Sequence, residues 1–201
     1  MNYREEREKT LLTFWQDYPE IQNKLKDVQA LMIERLKINN QEIEAALEKF
    51  ASRGGKMVRP ALFLLFAGIV PNGSKDEEKL IKIAASLEML HSATLIHDDI
   101  IDDSPLRRGL PSIESQFGKD VAVYAGDFVL TSCYQLLSTH LSDLEGITLP
   151  TNGMARVVEG ELAQMRNRYR YDLGLQEYLK RIEGKTAQLF MVSCYMGAKL
   201  G

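Results

Sequence analysis

Residues 77–103 read EEKLIKIAASLEMLHSATLIHDDIIDD, and the fold class turns on their periodicity. Ser74 followed by Asp76, Glu77 and Glu78 has the form of an N-cap with acids in the first helical turn, favourable against the helix dipole. From there helical patterning continues unbroken to about Ile101. The stretch is strongly apolar around Ile83, Ala84, Leu87, Leu90, Leu95 and Ile96, as in helices that are buried rather than solvated. Yet it ends in four aspartates, Asp98, Asp99, Asp102 and Asp103.

The flanking chain is helical as well. Ile21, Leu25, Val28, Leu31, Met32 and Leu36 recur at helical spacing, and Asn40 can cap a second helix carrying Ile43, Leu47 and Phe50. Gly54-Gly55 breaks that helix, and Pro60 suits the first turn of the next. Pro105, Gly109 and Pro111 mark a loop. Further helices are expected at 119–141, 151–171, 175–182 and 185–199. Nothing alternates as a strand, so the expectation is an all-α protein forming a single domain over 1–201.

Composition bounds the function. A hydrophobic content of 45%, 26% charged residues and a net charge of -3 describe an ordinary globular chain with no general attraction for nucleic acid. Any bound anion must therefore meet a local concentration of positive charge. Cys133 and Cys194 have no metal or redox spacing and suggest a reduced, cytoplasmic compartment. The N-terminus MNYREEREKT lacks an apolar signal core, and the longest apolar run, Ala61–Val70, is too short to span a bilayer.

Asp98 and Asp102 stand four residues apart on one helix face, where they repel each other and oppose the helix dipole. A hard divalent cation such as Mg²⁺ would compensate both costs. On the carboxylates alone, a solvated acidic helix end stays equally open. Cationic groups answer the acids: Arg107-Arg108-Gly109 just downstream, and Gly54-Gly55-Lys56-Met57-Val58-Arg59-Pro60 upstream. Glycine admits a phosphate close to the backbone, while Lys and Arg match its oxygens. Lys185-Thr186 follows Gly184 and is expected to open a helix whose N–H groups face an anion. His91 lies two turns before Asp98 on the same stripe, although a hydrogen-bonded core histidine is the commoner outcome from spacing alone. His97 and His140 carry no signal beyond that commoner outcome.

The blocks GGKMVRP (54–60), EMLHSATLIHDDIIDDSPLRRGLPS (88–112), AVYAGDFVL (122–130), GELAQ (160–164) and GKTAQLF (184–190) occur in an order that resembles the trans-isoprenyl (polyprenyl) diphosphate synthases. That resemblance implies a helical bundle around a central cavity, of the isoprenoid synthase type, usually homodimeric. It further implies a prenyltransferase that condenses an allylic diphosphate with isopentenyl diphosphate by ionisation, condensation and elimination. Carried over by position, Lys56, Arg59, His91 and Arg108 resemble ligands of isopentenyl diphosphate. Asp98 and Asp102 resemble Mg²⁺ ligands of the first aspartate-rich motif, with Asp99 in support. Arg107, Lys185 and Thr186 resemble groups around the allylic diphosphate and the developing cation. Met57 stands where the family usually has Arg, and Glu114 where it often has His.

Ala93 and Thr94 lie about 6–8 Å below the aspartates at helical rise and are expected to set product length. A small residue there resembles the medium- and long-chain, hexaprenyl- or heptaprenyl-like members, so Ala93→Phe should shorten the product. Such an apolar product implies weak peripheral contact with membrane. The family's second aspartate-rich motif is absent from these 201 residues, so the chain is read as incomplete at its C-terminus and poorly active alone. Three alternatives compete with that reading. They are a non-catalytic subunit of a heteromeric synthase, a terpene cyclase (which needs no second diphosphate site), and an RNA binder using Arg166, Arg168, Tyr169, Arg170 and Tyr171.

Overall fold

A computed structural model describes residues 14–53, 55–71, 76–141, 144–167, 170 and 174–201. Its helices are α1 (Pro19–Arg35), α2 (Gln41–Ser52), α3 (Val58–Gly68), α4 (Glu77–Ile101), α5 (Ile113–Phe117), α6 (Lys119–His140), α7 (Leu144–Arg166), α8 (Leu175–Ile182) and α9 (Gln188–Leu200). A π-helical turn, Glu183–Ala187, joins α8 to α9. The all-α expectation holds. The only sheet among the described residues is a hairpin of two-residue strands, β1 (Leu106–Arg107) and β2 (Leu110–Pro111).

The central element is α4. Every residue from Ile83 to Leu90 is buried, so the helix is enclosed on all sides along its middle. It packs most extensively on α6, and α3 and α1 cover other faces. Phe63, Leu25, Leu47, Met89 and Leu90 are fully buried in one continuous core, each contributing about 1.5–3 kcal/mol relative to exposure. Against α3, α9 lies very close: a Cβ placed on Gly197 would stand 2.3 Å from the Phe63 carbonyl oxygen.

Local chemistry sets most helix starts where expected. The Asn40 side chain accepts from the Ile43 N–H at 3.2 Å. For α4 the cap is Asp76, which accepts from the Lys79 N–H at 3.0 Å, whereas Ser74 lies outside the described residues. The helix expected at 151–171 starts earlier: α7 begins at Leu144 and carries the buried Pro150 in its interior. Proline removes one backbone donor without preventing the helix when packing holds it. The same helix ends at Arg166 rather than 171. On α8 the apolar stripe Leu175, Tyr178, Leu179 and Ile182 is exposed.

Candidate active site

Asp98, Asp99 and Asp102 occupy the last turn and C-cap of α4, with no basic residue in that turn. Their partners come from other elements. Lys185 Nζ stands 3.9 Å from Asp98 Oδ2 and 2.8 Å from Glu161 Oε1, so one ammonium links α4, α7 and the π turn. Burial, together with the nearby charges of Glu161 and Asp102, raises the Asp98 carboxyl above its ordinary range against the pull of Lys185 and Arg107. Asp99 is buried and accepts from Arg107 Nε at 2.8 Å, with a second contact from Arg107 Nη2. That bond is the main cause of the raised pKa of Arg107. Asp99 therefore faces an internal guanidinium in this structure.

The hairpin sends its two arginines in different directions. Arg108 and Gly109 form its turn with φ of 51° and 73°, the left-handed pair of a type I′ turn. A side chain at the first of these positions is strained, and such strain concentrates at functional sites. From the turn Arg108 Nη1 donates to the Arg53 carbonyl at 3.2 Å, and its guanidinium packs under Gly55, whose added Cβ would lie 3.1 Å from Nη2. A side chain at position 55 would press on the Arg108 guanidinium, which would have to shift by a few tenths of an ångström.

A second charged group gathers around Arg108. Arg59, in the first turn of α3, rests over the Phe190 ring at 4.6 Å, and its Nε is buried with no hydrogen-bond partner. Burial lowers its pKa, opposed by Glu88 and assisted by Arg108. Glu88 is 4% exposed, and its Oε2 is likewise buried and unpaired. Burial raises its carboxyl against the attraction of Arg59 and Arg108. His91, one turn further along α4, has its imidazole pushed down to about 3 by burial first and then by Arg59, Arg108 and Arg107. It stays neutral at physiological pH.

Arg107 joins the two groups, since its charge acts on Asp98 and Asp102 on one side and on His91 on the other. Lys56 is exposed and placed differently: its Nζ lies over the Phe14 ring at 4.4 Å, and its carbonyl accepts from Trp15 Nε1 at 2.7 Å. Thr186 is exposed. Thr94 is half-buried on the Asp98 stripe, its hydroxyl donating to the His91 carbonyl at 2.7 Å, whereas Ala93 has no exposed surface and packs in the core.

One expectation is corrected. Lys185-Thr186 does not open a helix, because the right-handed backbone runs from α8 through the π turn into α9 and the Gln188 N–H is already bonded to the Glu183 carbonyl. No ring of free N–H groups faces an anion there; Lys185 acts through its side chain. The turn is shaped by close packing, since a Cβ on Gly160 would meet the Lys185 nitrogen at 3.3 Å and one on Gly184 the Arg156 carbonyl oxygen at 3.1 Å.

Sequence reasoning missed Glu88, Glu161 and the Phe14–Trp15 pair. Glu88 had a signal, a lone acid inside an apolar helix, and Glu161 stands in the GELAQ block. His97 stands with Nε2 at 3.3 Å from Asp127 Oδ1 and its ring against Gly126. The side chain of His140 lies outside the described residues, as do Gly54, Arg168, Tyr169 and Tyr171.

Two cavities adjoin these elements. One of about 190 Å³ lies between α2 and the hairpin, lined by Arg53, Arg107 and Arg108 among others. The other, about 740 Å³, lies along α7 and α8 and includes Arg156, Gly160, Tyr178 and Gln188. Neither includes Asp98 or Asp102 in its lining.

Fold and site together define the class, an all-α isoprenyl diphosphate synthase fold. The geranylgeranyl pyrophosphate synthase of Lactobacillus brevis superposes with a TM-score of 0.88 at 38% identity, covering 93% of this chain and 57% of that one. The heptaprenyl diphosphate synthase of Staphylococcus aureus gives 0.82 at 32% identity, covering 90% of this chain and 56% of that one. The chain belongs to the polyprenyl synthetase family, whose model matches residues 40–201. Component 2 of the heptaprenyl diphosphate synthase of Bacillus subtilis is 38% identical over 145 residues, 72% of this chain and 40% of that protein. Its counterpart in Geobacillus stearothermophilus is 37% identical over 155 residues, 77% of this chain and 47% of that protein. The chain thus spans half or less of the length of these curated relatives.

Proposed function

We propose that this chain carries the diphosphate-handling face of a prenyltransferase that condenses an allylic diphosphate with isopentenyl diphosphate to give a polyprenyl diphosphate. The supporting observation is the junction at Arg107, with Asp98, Asp102, Glu161 and Lys185 on one side and Arg59, His91 and Arg108 on the other. Two diphosphates brought to adjoining sites react as one bound pair, which supplies much of the rate. Arg59, Arg108 and Lys56 hold isopentenyl diphosphate, with His91 neutral beside them. Arg107, Lys185 and Thr186 face the allylic partner, where fixed positive charge stabilises the departing diphosphate.

The residues fit Mg²⁺. Asp98 and Asp102 offer hard oxygen donors on one helix face, with Lys185 beside Asp98. Among the described residues no three acidic, His or Cys side chains converge to hold a metal. A magnesium ion held by Asp98 and Asp102, with Asp99 in support through Arg107, would complete its shell from water and phosphate oxygens, as it commonly does. When bound it supplies Lewis-acid neutralisation of the leaving diphosphate.

Product length follows Thr94 on the aspartate stripe more directly than the packed Ala93. The names of the Bacillus and Geobacillus relatives support a second reading of assembly, a heteromeric synthase in place of the homodimer that the resemblance implies. Among the described residues no helix is long and apolar enough to cross a membrane. That is compatible with cytoplasmic synthesis and weak membrane contact through the product.

Titration calorimetry with inorganic pyrophosphate tests the site. Binding is expected to strengthen with Mg²⁺, and both Arg59→Ala and Asp98→Ala should weaken it at least tenfold. No binding, or binding indifferent to both substitutions, defeats the proposal.

A further inference from the structure

We propose that Glu88 is a positioning residue of the diphosphate site, holding the Arg59 and Arg108 guanidinium groups aimed at the anion. The inference rests on the reading of that site given above and concerns a residue with no role in it.

The geometry is a buried carboxylate flanked by two arginines, Arg59 half-buried and Arg108 exposed. Glu88 is almost wholly enclosed, on the same face of α4 as His91 one turn away. A lone carboxylate at that depth is costly unless cations answer it. The cations are Arg59 from α3 and Arg108 from the hairpin turn, both felt by Glu88. Yet Glu88 Oε2 and Arg59 Nε, an acceptor and a donor of opposite charge, are both buried and unpaired. Unpaired buried groups of this kind are rare in folded proteins and call for a reason. A purely structural ion pair would close into a direct bond.

The remaining contacts of the two arginines restrain them from outside. Arg59 lies against Phe190, and Arg108 is pinned under Gly55 and to the Arg53 carbonyl. Glu88 approaches them from the helix interior. It supplies the counter-charge that allows two guanidinium groups to sit side by side in a half-buried site before any anion arrives. With Glu88 ionised as the proposal requires and His91 neutral, the set of Arg59, Arg108 and Glu88 carries one net positive charge and attracts a diphosphate.

Charge and positioning predict opposite signs. Glu88→Gln keeps the shape but removes a negative charge beside the anion site, so electrostatics alone would tighten binding. Positioning predicts the reverse, because the guanidinium groups then repel and turn aside. Calorimetry with inorganic pyrophosphate, on the 201-residue chain, should show Glu88→Gln binding at least tenfold more weakly than wild type. In an Arg59→Ala background the same substitution should change affinity less than threefold, a dependence that a merely structural role would not produce. Equal or tighter binding by Glu88→Gln overturns the proposal, as does an undiminished effect in the Arg59→Ala background. If Glu88→Gln lacks a cooperative unfolding transition, Glu88→Asp replaces it in both backgrounds, with the same sign required. Failure of wild type to bind pyrophosphate, or indifference to Arg59→Ala alone, overturns the site itself and with it the role of Glu88.

Discussion

Acidification should destabilise this chain in part through His91, and the size of the effect can be worked out. The imidazole is pushed from its ordinary 6.5 down to about 3, chiefly by burial and then by Arg59, Arg108 and Arg107. The unfolded chain therefore binds a proton at this position between about pH 6.5 and pH 3, where the folded chain does not. Stability attributable to His91 is complete above the unfolded value and drains away as the pH falls. Over the whole window the ceiling is about 5 kcal/mol, at 1.36 kcal/mol per pH unit. Between pH 8 and pH 5 the linkage relation gives about 2 kcal/mol.

Glu88 and Asp98 act in the opposite sense, since their carboxyls are raised and their contributions fade as pH rises through the folded values. A raw stability curve mixes these signs, so the assay is a difference. Urea unfolding of wild type and His91→Gln, measured from pH 8 to pH 5, should show wild type losing about 2 kcal/mol more than the variant. In proton NMR the His91 ring should keep its neutral chemical shifts across that range. A difference flat to within about 0.5 kcal/mol, or a His91 ring titrating near its ordinary value, would refute the burial argument.

Other perturbations separate packing from chemistry. Arg107→Met leaves the buried Asp99 carboxylate without its guanidinium and should cost about 2–4 kcal/mol in urea unfolding, below the full cost of a broken buried pair because Arg107 is partly exposed. Gly197→Ala drives a methyl into the Phe63 carbonyl and should lower stability by about 1–3 kcal/mol, seen as a lower midpoint at unchanged slope. Ala93→Phe should overpack the core and cost about 1–3 kcal/mol or more, whereas Thr94→Phe should unfold close to wild type. Equal midpoints for those two variants would contradict the assigned burial.

The helices were legible because their signals are local. Asn40 caps where a capping residue was expected, and α6 and α8 fall within a residue of their expected bounds. The helix expected from 151 begins at Leu144 because the backbone stays helical through Pro150, whose missing donor does not by itself end a helix. The π turn has no composition of its own and cannot be told in sequence from a helix start after glycine. The i, i+4 spacing of Asp98 and Asp102 announces a need for cations, and in the structure Lys185 stands beside Asp98. Glu88 and Glu161 escaped because their partners come from helices distant in sequence, and nothing in a neighbouring stretch marks which acid will be buried beside which base. Lys56 belongs with Arg59 in the GGKMVRP block, and no local pattern foretells that its Nζ lies over the Phe14 ring.

Like charges crowd this site, and the arrangement that tolerates them says how it is poised. Asp98 and Glu161 share one cation directly, Lys185; Arg59 and Arg108 act on one buried anion, Glu88; and Arg107 is answered by Asp99. Each set is neutralised enough to fold and too little to be satisfied. A fully paired set would have no free energy to gain from a ligand, and an unpaired one would cost more burial energy than a marginally stable fold can carry. The type I′ hairpin makes this division possible, because Arg107 on the strand and Arg108 in the strained turn leave the chain toward different partners within one residue. A straight helical segment would separate consecutive side chains by about 100° without that left-handed reversal. The backbone strain at Arg108 therefore has a physical use, which is to give adjacent cations to two neighbouring charge sets at once.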